Sequence, residues 1–196
     1  MGQNHVFLIR HGETEWSKSG QHTGGTDLPL TEAGREQGQL LTERLRGIEF
    51  ALVLTSPLQR AMDTCRQAHL RRAAEILEDL HEWDYGEYEG LTTPEIRQRQ
   101  PDWSIWAHGA PQGESPDQVS ERADRVLARA RSADGDVALF SHGHMLRAIG
   151  ARWLGLPVTA GQHLMLSTAS VSVLGYERET PVIRLWNGRA HLSQLT

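Results

Sequence analysis

The amino-acid sequence predicts an α/β fold, a three-layer α/β/α arrangement whose sheet is mostly parallel and carries an antiparallel edge strand. Short apolar runs at 6–9, 51–54 and 137–140 are typical of parallel strands that are buried on both faces. Helical patterns alternate with these runs, which places helices on both sides of the sheet. Two further runs, at 171–174 and 182–186, are predicted to form a hairpin that supplies the antiparallel edge.

Helix starts are predicted where Ser or Thr precedes a helical pattern, because the side-chain oxygen can accept a free backbone N–H there. Thr31 begins a helix that runs to about residue 46. Pro at the first helical position marks three more starts, at Ser56-Pro57, Thr93-Pro94 and Ser115-Pro116. The first of these helices is expected to end near residue 70 and the last near residue 131. The remaining predicted elements are a short edge strand at 74–77 and a helix at 143–154.

Length and composition predict a single domain over residues 1–196. The chain is 38% hydrophobic and 23% charged, which is enough apolar material for a core. A net charge of −5 argues against nucleic acid and anionic membranes as partners. The single cysteine, Cys65, is expected to be a buried apolar side chain. Without a leader or a membrane-length apolar run, we expect a soluble, cytoplasmic protein.

The candidate chemistry lies where the three parallel strands end, because ligands of open α/β sheets bind beyond the carboxyl ends of the strands. The first strand leads into Arg10 and His11, the second into Arg60, and the third into His142. If these strands are neighbours, two imidazole and two guanidinium groups converge. Unpaired positive groups rarely cluster without an anionic ligand, so the set indicates an anion site rather than ordinary loop residues.

These residue types suit a phosphoryl group. Arginine presents a planar fork of donors that matches phosphate oxygens two at a time. Gly12 and Gly143 allow backbone N–H groups to approach a ligand, and the helix that begins at Gly143 adds the positive end of its dipole. Histidine is a competent nucleophile when one ring nitrogen is unprotonated, and the surrounding positive charge is expected to lower the pKa of His11.

The motif Arg10-His11-Gly12-Glu13-Thr14 resembles the signature of the histidine phosphatase superfamily, the phosphoglycerate-mutase-like proteins. The resemblance implies a phosphoglycerate-mutase-like fold. The stretches 15–24 and 82–90 and the variant His142-Gly143-His144 look like the branch of acid phosphatases and sugar bisphosphatases of the sedoheptulose-bisphosphatase type. Ser17, which stands where the mutases commonly carry Asn, favours the same branch. Further motifs that carry the resemblance are Thr23-Gly24, Asp27-Leu28-Pro29-Leu30-Thr31, Thr55-Ser56-Pro57-Leu58-Gln59-Arg60-Ala61, Glu82-Trp83-Asp84-Tyr85-Gly86, Glu89-Gly90 and Ser141-His142-Gly143.

The resemblance also implies roles for single residues. His11 is expected to be phosphorylated, and Glu82 to protonate the leaving oxygen and then to activate water. The groups expected to bind the phosphoryl oxygens are Arg10, Arg60 and His142. The sequence alone leaves rivals for the carboxyl group, which are Glu13, Glu87 and Glu89. The expected substrate-binding residues are Ser17, Thr23, Gly24, Tyr85, Gly143 and His144.

We therefore expect a metal-independent phosphatase without a cofactor that acts on a small phosphomonoester, with a sugar phosphate or bisphosphate favoured. The alternative is a cofactor-dependent phosphoglycerate mutase, which must keep water away from its phosphoenzyme. The segment 91–113, expected to be an irregular, Trp-rich insertion that covers the site, is short for that task. The expected partner is a small phosphorylated molecule, and the sequence leaves a homodimer open.

Two other classes of protein are less consistent with the sequence. A metal-dependent hydrolase that used His142 and His144 as ligands would place Arg10 and Arg60 beside a cation, an unfavourable arrangement of like charges. A non-catalytic phosphate-binding module is expected to lack either the candidate nucleophile or the candidate acid, and both are present.

Overall fold

The computed structural model describes residues 4–195 of the chain. Its strands form one six-stranded sheet. In chain order they are β1 (Val6–Arg10), β2 (Phe50–Thr55), β3 (Ala74–Ile76), β4 (Asp136–Ser141), β5 (Val171–Glu177) and β6 (Thr180–Gly188). Their order across the sheet is β3-β2-β4-β1-β5-β6.

The sheet is parallel over four strands and antiparallel over the other two. β4 lies between β1 and β2 and is parallel to both, and β3 is parallel to β2 at one edge. β5 runs antiparallel to β1, and β6 runs antiparallel to β5 as the predicted hairpin. The predicted fold class is therefore confirmed, and its antiparallel edge consists of two strands.

Helices cover both faces of the sheet. They are α1 (Glu15–Ser19), α2 (Glu32–Leu45), α3 (Gln59–Gln67), α4 (Thr93–Arg99), α5 (Ile105–His108), α6 (Pro116–Arg131) and α7 (Gly143–Trp153). Alternate residues of β1 point to opposite faces, so Leu8 joins a core with α6 and α7 while Ile9 joins a core with α2 and α3. Cys65 of α3 is fully buried in the second core, as predicted. None of the helices within residues 4–195 is long and apolar enough to cross a membrane.

Two predicted helix starts are wrong by one or two residues. α3 begins at Gln59 with Leu58 as its N-cap, and it ends at Gln67 instead of near residue 70. Ser56 is not the N-cap, because its hydroxyl oxygen accepts the N–H of Leu58, the residue before the helix, at 3.3 Å and also contacts His142. The N-cap of α4 is Thr92, one residue before the predicted position, and the start of α6 after Ser115 is confirmed.

The segment 91–113 is more regular than expected, because it contains α4 and α5. Two of its Trp rings are buried in the core, with Trp103 only 1% and Trp106 only 5% exposed. The indole N–H of Trp103 donates to the carbonyl group of Gly109 at 2.9 Å, which closes the segment on itself. Burial of these rings fixes the segment against the rest of the molecule.

Candidate active site

The three strand ends that carry the candidate residues meet at one edge of the sheet. Arg10, at the end of β1, pairs with Ser141 at the end of β4, and Thr55 of β2 pairs with Phe140 of β4. The loops that follow these strands are therefore neighbours. The ring centroids of His11 and His142 are 5.2 Å apart, as the convergence argument predicts.

His11 is held as a neutral ring with one free nitrogen. It is only 5% exposed, and its Nδ1–H donates to the carbonyl oxygen of Gly12 at 2.7 Å. This bond fixes the tautomer and leaves a lone pair on Nε2. Burial, followed by the positive charges of Arg60 and Arg10, lowers the pKa of His11 well below its usual value. The lowered pKa favours the unprotonated ring, whose Nε2 can act as a nucleophile.

Arg10 offers donors to a ligand. Its Nη1 donates to the carbonyl group of Leu166 at 2.6 Å, while its Nε is buried and finds no hydrogen-bond partner among residues 4–195. Burial lowers the pKa of Arg10, although Glu82 opposes this effect. A side chain on Gly143 would place its Cβ only 3.3 Å from the guanidinium carbon, so glycine lets α7 begin close against this group. Arg10 lines a cavity, and a guanidinium group with an unpartnered donor is suited to bind an anion there.

Arg60 and His142 lie behind the cavity wall, and both are fully buried. The Nε–H of Arg60 donates to Nδ1 of His142 at 3.1 Å, and the Nε2–H of His142 then donates to the hydroxyl group of Ser56 at 2.7 Å. The remaining Arg60 donors bind the carbonyl groups of Thr23, Gly24 and Thr26. Burial lowers the pKa of His142 well below its usual value, and Arg60 lowers it further. The structure brings both residues to the site, but protein groups occupy the donors that were expected to hold phosphate.

Glu82 is the carboxyl group at the cavity. It is 6% exposed and lines the same cavity as His11 and Arg10. Its two oxygens accept the backbone N–H groups of Trp83, His144 and Met145 at 2.9–3.0 Å, which fixes their direction.

The three rival carboxylates have other partners. Glu13 accepts the hydroxyl group of Thr31, Glu87 accepts the side-chain amide of Gln112, and Glu89 accepts the N–H groups of Gly24 and Thr26. Of the four candidates, Glu82 is the one that lines the cavity.

The cavity has a volume of about 170 Å³. The predicted substrate-binding residues that line it are Ser17, Thr23, Tyr85, Gly143 and His144. Gly24 lies beside the cavity, and its carbonyl group accepts from Arg60. The lining residues that the sequence analysis did not assign to the site are Trp16, Gly20, Gln21, His22, Arg147 and Leu166. Arg147 follows Gly143 by four residues on α7, so helical periodicity could have placed it on the same face.

Aromatic rings form one wall of the cavity. The ring of His22 lies 4.7 Å from that of Tyr85, and the hydroxyl group of Tyr85 contacts Nδ1 of His144 at 2.7 Å. Burial lowers the pKa of His22 to about 4 and that of His144 well below its usual value. Trp106, from the segment 91–113, stacks beside His144 at 5.3 Å and under the guanidinium group of Arg147 at 4.8 Å. The wall is therefore neutral except for Arg147.

A metal site does not fit this arrangement. Within residues 4–195, no three side chains of His, Cys, Asp or Glu are grouped so that they could hold an ion. Both ring nitrogens of His142 already have partners in Arg60 and Ser56. Nδ1 of His144 is bound to Tyr85, so the two histidines do not form a ligand pair.

The sequence and fold match those of known phosphatases. The chain belongs to the histidine phosphatase superfamily, branch 1, whose family model matches residues 6–189. The resemblance found in the sequence is therefore confirmed. The chain is 46% identical over 180 residues to an acid phosphatase of Mycobacterium tuberculosis, with 89% of this chain and 88% of that protein covered. It is 36% identical over 188 residues to a sedoheptulose 1,7-bisphosphatase of Saccharomyces cerevisiae, with 78% of this chain and 68% of that protein covered.

Solved structures give the same result. The structure of an open reading frame product of Mycobacterium tuberculosis has a TM-score of 0.90 to this chain at 42% identity, with 94% of this chain and 97% of that chain covered. The fold is therefore phosphoglycerate-mutase-like, and the relatives support a phosphatase.

Proposed function

We propose that this protein hydrolyses a small phosphomonoester through a phosphohistidine intermediate at His11 and needs no metal ion. The observation that carries the proposal is the neutral His11 ring, whose free Nε2 lies at a cavity with an unpartnered guanidinium donor and one carboxyl group. This set supplies the nucleophile, the anion-binding group and the proton donor that phosphoryl transfer requires.

In the first step, Nε2 of His11 attacks phosphorus and the bond from phosphorus to the leaving oxygen breaks. Glu82, in its protonated form, transfers its proton to that oxygen, and an alcohol departs. Arg10 stabilises the negative charge on the transferred group. The bond from the Nδ1–H of His11 to the carbonyl group of Gly12 stabilises the ring as Nε2 becomes phosphorylated.

In the second step, Glu82 as a carboxylate removes a proton from water. The resulting oxygen attacks phosphorus, the P–N bond breaks, and inorganic phosphate leaves with Nε2 again unprotonated. Arg60 supplies positive charge from behind the wall and holds the carbonyl groups of the 23–26 loop. A direct contact of Arg60 with phosphate requires it to exchange one of these carbonyl groups for a phosphoryl oxygen.

For the substrate we propose a sugar phosphate or bisphosphate. Arg147 lines the cavity while its Nε and Nη2 donate to the carbonyl groups of Gly161 and Gln162, and it offers a second positive group to a substrate that carries two anionic ends. A second cavity of about 170 Å³ shares His22 and His144 with the first and reaches the rings of Trp103 and Trp106, which gives room for the body of a sugar. The names of the relatives, an acid phosphatase and a bisphosphatase, support this substrate class.

The test is a screen of phosphate release with wild type, His11→Ala and Arg147→Gln side by side. The compounds are sugar monophosphates, sugar bisphosphates, phenyl phosphate and 3-phosphoglycerate, each with and without a chelator. We expect wild type and Arg147→Gln, but not His11→Ala, to release phosphate from the sugar phosphates, and we expect no effect of the chelator. Arg147→Gln should raise KM about tenfold or more for bisphosphates only. Isomerised 3-phosphoglycerate without hydrolysis would show a mutase, and activity lost in chelator and restored by a divalent ion would show a metalloenzyme.

A further inference from the structure

Outside the cavity, one buried guanidinium group donates hydrogen bonds to the loop that carries Glu82. Arg122 of α6 is only 3% exposed. Its Nη1 donates to the carbonyl groups of Asp79 at 2.9 Å and His81 at 2.6 Å, and its Nη2 reaches the carbonyl group of Glu82 at 3.3 Å. All three carbonyl groups belong to the loop that connects β3 to the candidate acid. A single side chain therefore fixes the backbone immediately before the carboxyl group.

Glu114 binds both Arg122 and the residues that follow Glu82. Both of its carboxylate oxygens accept from Arg122, at 2.9 Å and 2.7 Å. One of these oxygens also accepts the N–H of Asp84 at 2.9 Å, and the carbonyl group of Glu114 accepts the indole N–H of Trp83 at 2.9 Å. The ion pair thus binds the residues that follow Glu82 as well as those that precede it. Because a buried charge without its partner is costly, Arg122 and Glu114 stay paired, and their hydrogen bonds keep the loop around Glu82 in one conformation.

The same guanidinium group also touches a residue that orients the carboxylate. Nη1 of Arg122 lies 3.2 Å from Sδ of Met145, and the backbone N–H of Met145 donates to Glu82 at 2.9 Å. We propose that Arg122, held by Glu114, is a positioning residue that fixes the carboxyl group of Glu82 for proton transfer. This inference rests on the proposed function of Glu82. Proton transfer depends steeply on the position of the acid, so a loosened loop is expected to slow that step.

A purely structural role for the ion pair predicts a different outcome. An ion pair that only stabilises the fold affects every substrate to the same extent once the protein is folded. A positioning residue affects the substrates whose leaving oxygen needs a proton and spares those, such as nitrophenyl phosphate, whose leaving group departs as an anion. Arg125 provides a matched control, because it lies one turn further along α6 and binds the side chain of Asp79 on the same loop at 2.7 Å and 3.0 Å.

The experiment measures the rate of enzyme phosphorylation in a single turnover. The substrates are nitrophenyl phosphate and the best sugar phosphate of wild type, and the variants are Arg122→Lys, Glu114→Gln, Arg125→Lys and Glu82→Gln. We expect Arg122→Lys and Glu114→Gln to lower the sugar phosphate rate by about 10- to 100-fold while the nitrophenyl burst changes by less than about threefold. Arg125→Lys should leave both rates close to those of wild type. If Arg122→Lys does not fold, Glu114→Gln carries the test, since it loosens the same guanidinium group from the other end.

Two outcomes separate the inference from the proposed function. If Glu82→Gln discriminates between the substrates and neither Arg122→Lys nor Glu114→Gln does, the positioning role is overturned and the function stands. If Glu82→Gln slows both substrates equally, the acid role of Glu82 fails, and the inference about Arg122 fails with it.

Discussion

One hydroxyl group ties the nucleophile loop to α3. The N–H of Gly12 donates to the hydroxyl oxygen of Thr64 at 2.9 Å, and that hydroxyl group donates to the carbonyl group of Arg60 at 2.7 Å. The carbonyl group of Gly12 in turn accepts from His11. A continuous series of hydrogen bonds therefore runs from the first turn of α3 to the candidate nucleophile, and Thr64, which is fully buried, is its central member.

We predict that Thr64→Val lowers kcat about tenfold with little change in KM. Valine has nearly the shape of threonine, so the core remains filled, but the buried N–H of Gly12 loses its acceptor and the His11 ring loses its alignment. Steady-state kinetics on the best substrate measure the effect. Thr42→Val is the control, because the Thr42 hydroxyl group donates to the carbonyl group of Gln67 at 3.2 Å, away from the site. An equal loss of kcat in both variants would contradict a role of Thr64 in aligning the His11 ring.

At the scale of the residue, the sequence predicted which side chains converge at the site but not the groups to which they hydrogen-bond. Arg10, His11 and His142 follow parallel strands, so their convergence could be derived from the apolar runs alone. The resemblance assigned Thr23 and Gly24 to the site, but nothing in the sequence indicates that the carbonyl groups of the 23–26 loop bind Arg60. The choice of Glu82 over its rivals rested on the resemblance, and of the four carboxyl groups Glu82 is the one that lines the cavity.

At the scale of the element, α2 and the nucleophile loop approach each other closely at two glycines. A Cβ on Gly34 would lie 2.1 Å from the carbonyl oxygen of Glu13, and a Cβ on Gly12 would lie 2.3 Å from the carbonyl oxygen of Gly34. The same loop is bound to the start of α2, because the N–H of Thr31 donates to the carbonyl group of Glu13 at 2.9 Å. The helix therefore fixes the nucleophile loop through backbone contacts that only glycine permits.

We predict that Gly34→Ala destabilises the protein by about 1 to 3 kcal/mol and lowers activity in the protein that remains folded. The added methyl group forces α2 away from the loop that carries His11. Denaturant unfolding and kinetics at a temperature well below the transition measure the two effects. Gly25→Ala is the control, since a Cβ there meets no atom within 4 Å. An unchanged free energy of unfolding for Gly34→Ala would contradict the close approach.

The strands were easier to predict than the helix boundaries. A run of four apolar residues identifies a buried strand regardless of its partners, whereas a helix start depends on which group a side-chain oxygen binds. Ser56 has the right type for a cap, but its hydroxyl group is bound to His142 across the site. α5 was not predicted, because a four-residue helix with a buried Trp ring lacks a clear polar face.

At the scale of the whole molecule, the site buries several histidines in neutral form. The pKa values of His11, His22, His142 and His144 are all lowered, in each case mainly by burial. In the unfolded chain these rings titrate near their usual pKa of about 6.5. Below that pH the unfolded state binds more protons than the folded state, so the free energy of unfolding decreases as the pH falls.

We predict that the protein without ligand loses stability between pH 7 and pH 5, and that His22, whose pKa in the folded protein is about 4, accounts for about 2 kcal/mol of this loss. Urea unfolding at the two pH values measures this loss. The variant His22→Asn should lose about 2 kcal/mol less than wild type over the same interval, because it has one such ring fewer. The same pH dependence in both proteins would show that His22 is not kept neutral by the fold.

The aromatic wall described above has a consequence for how this scaffold diversifies. The groups proposed for the chemistry follow strand ends, whereas Trp103 and Trp106 belong to the separate segment 91–113. Thr93, Arg97 and Ser104 of that segment also line the second cavity and are not buried, so replacements there change its shape while Trp103 and Trp106 stay in the core. A duplicated gene can therefore acquire a new metabolite preference by changing one short stretch of codons while the reaction itself is inherited intact.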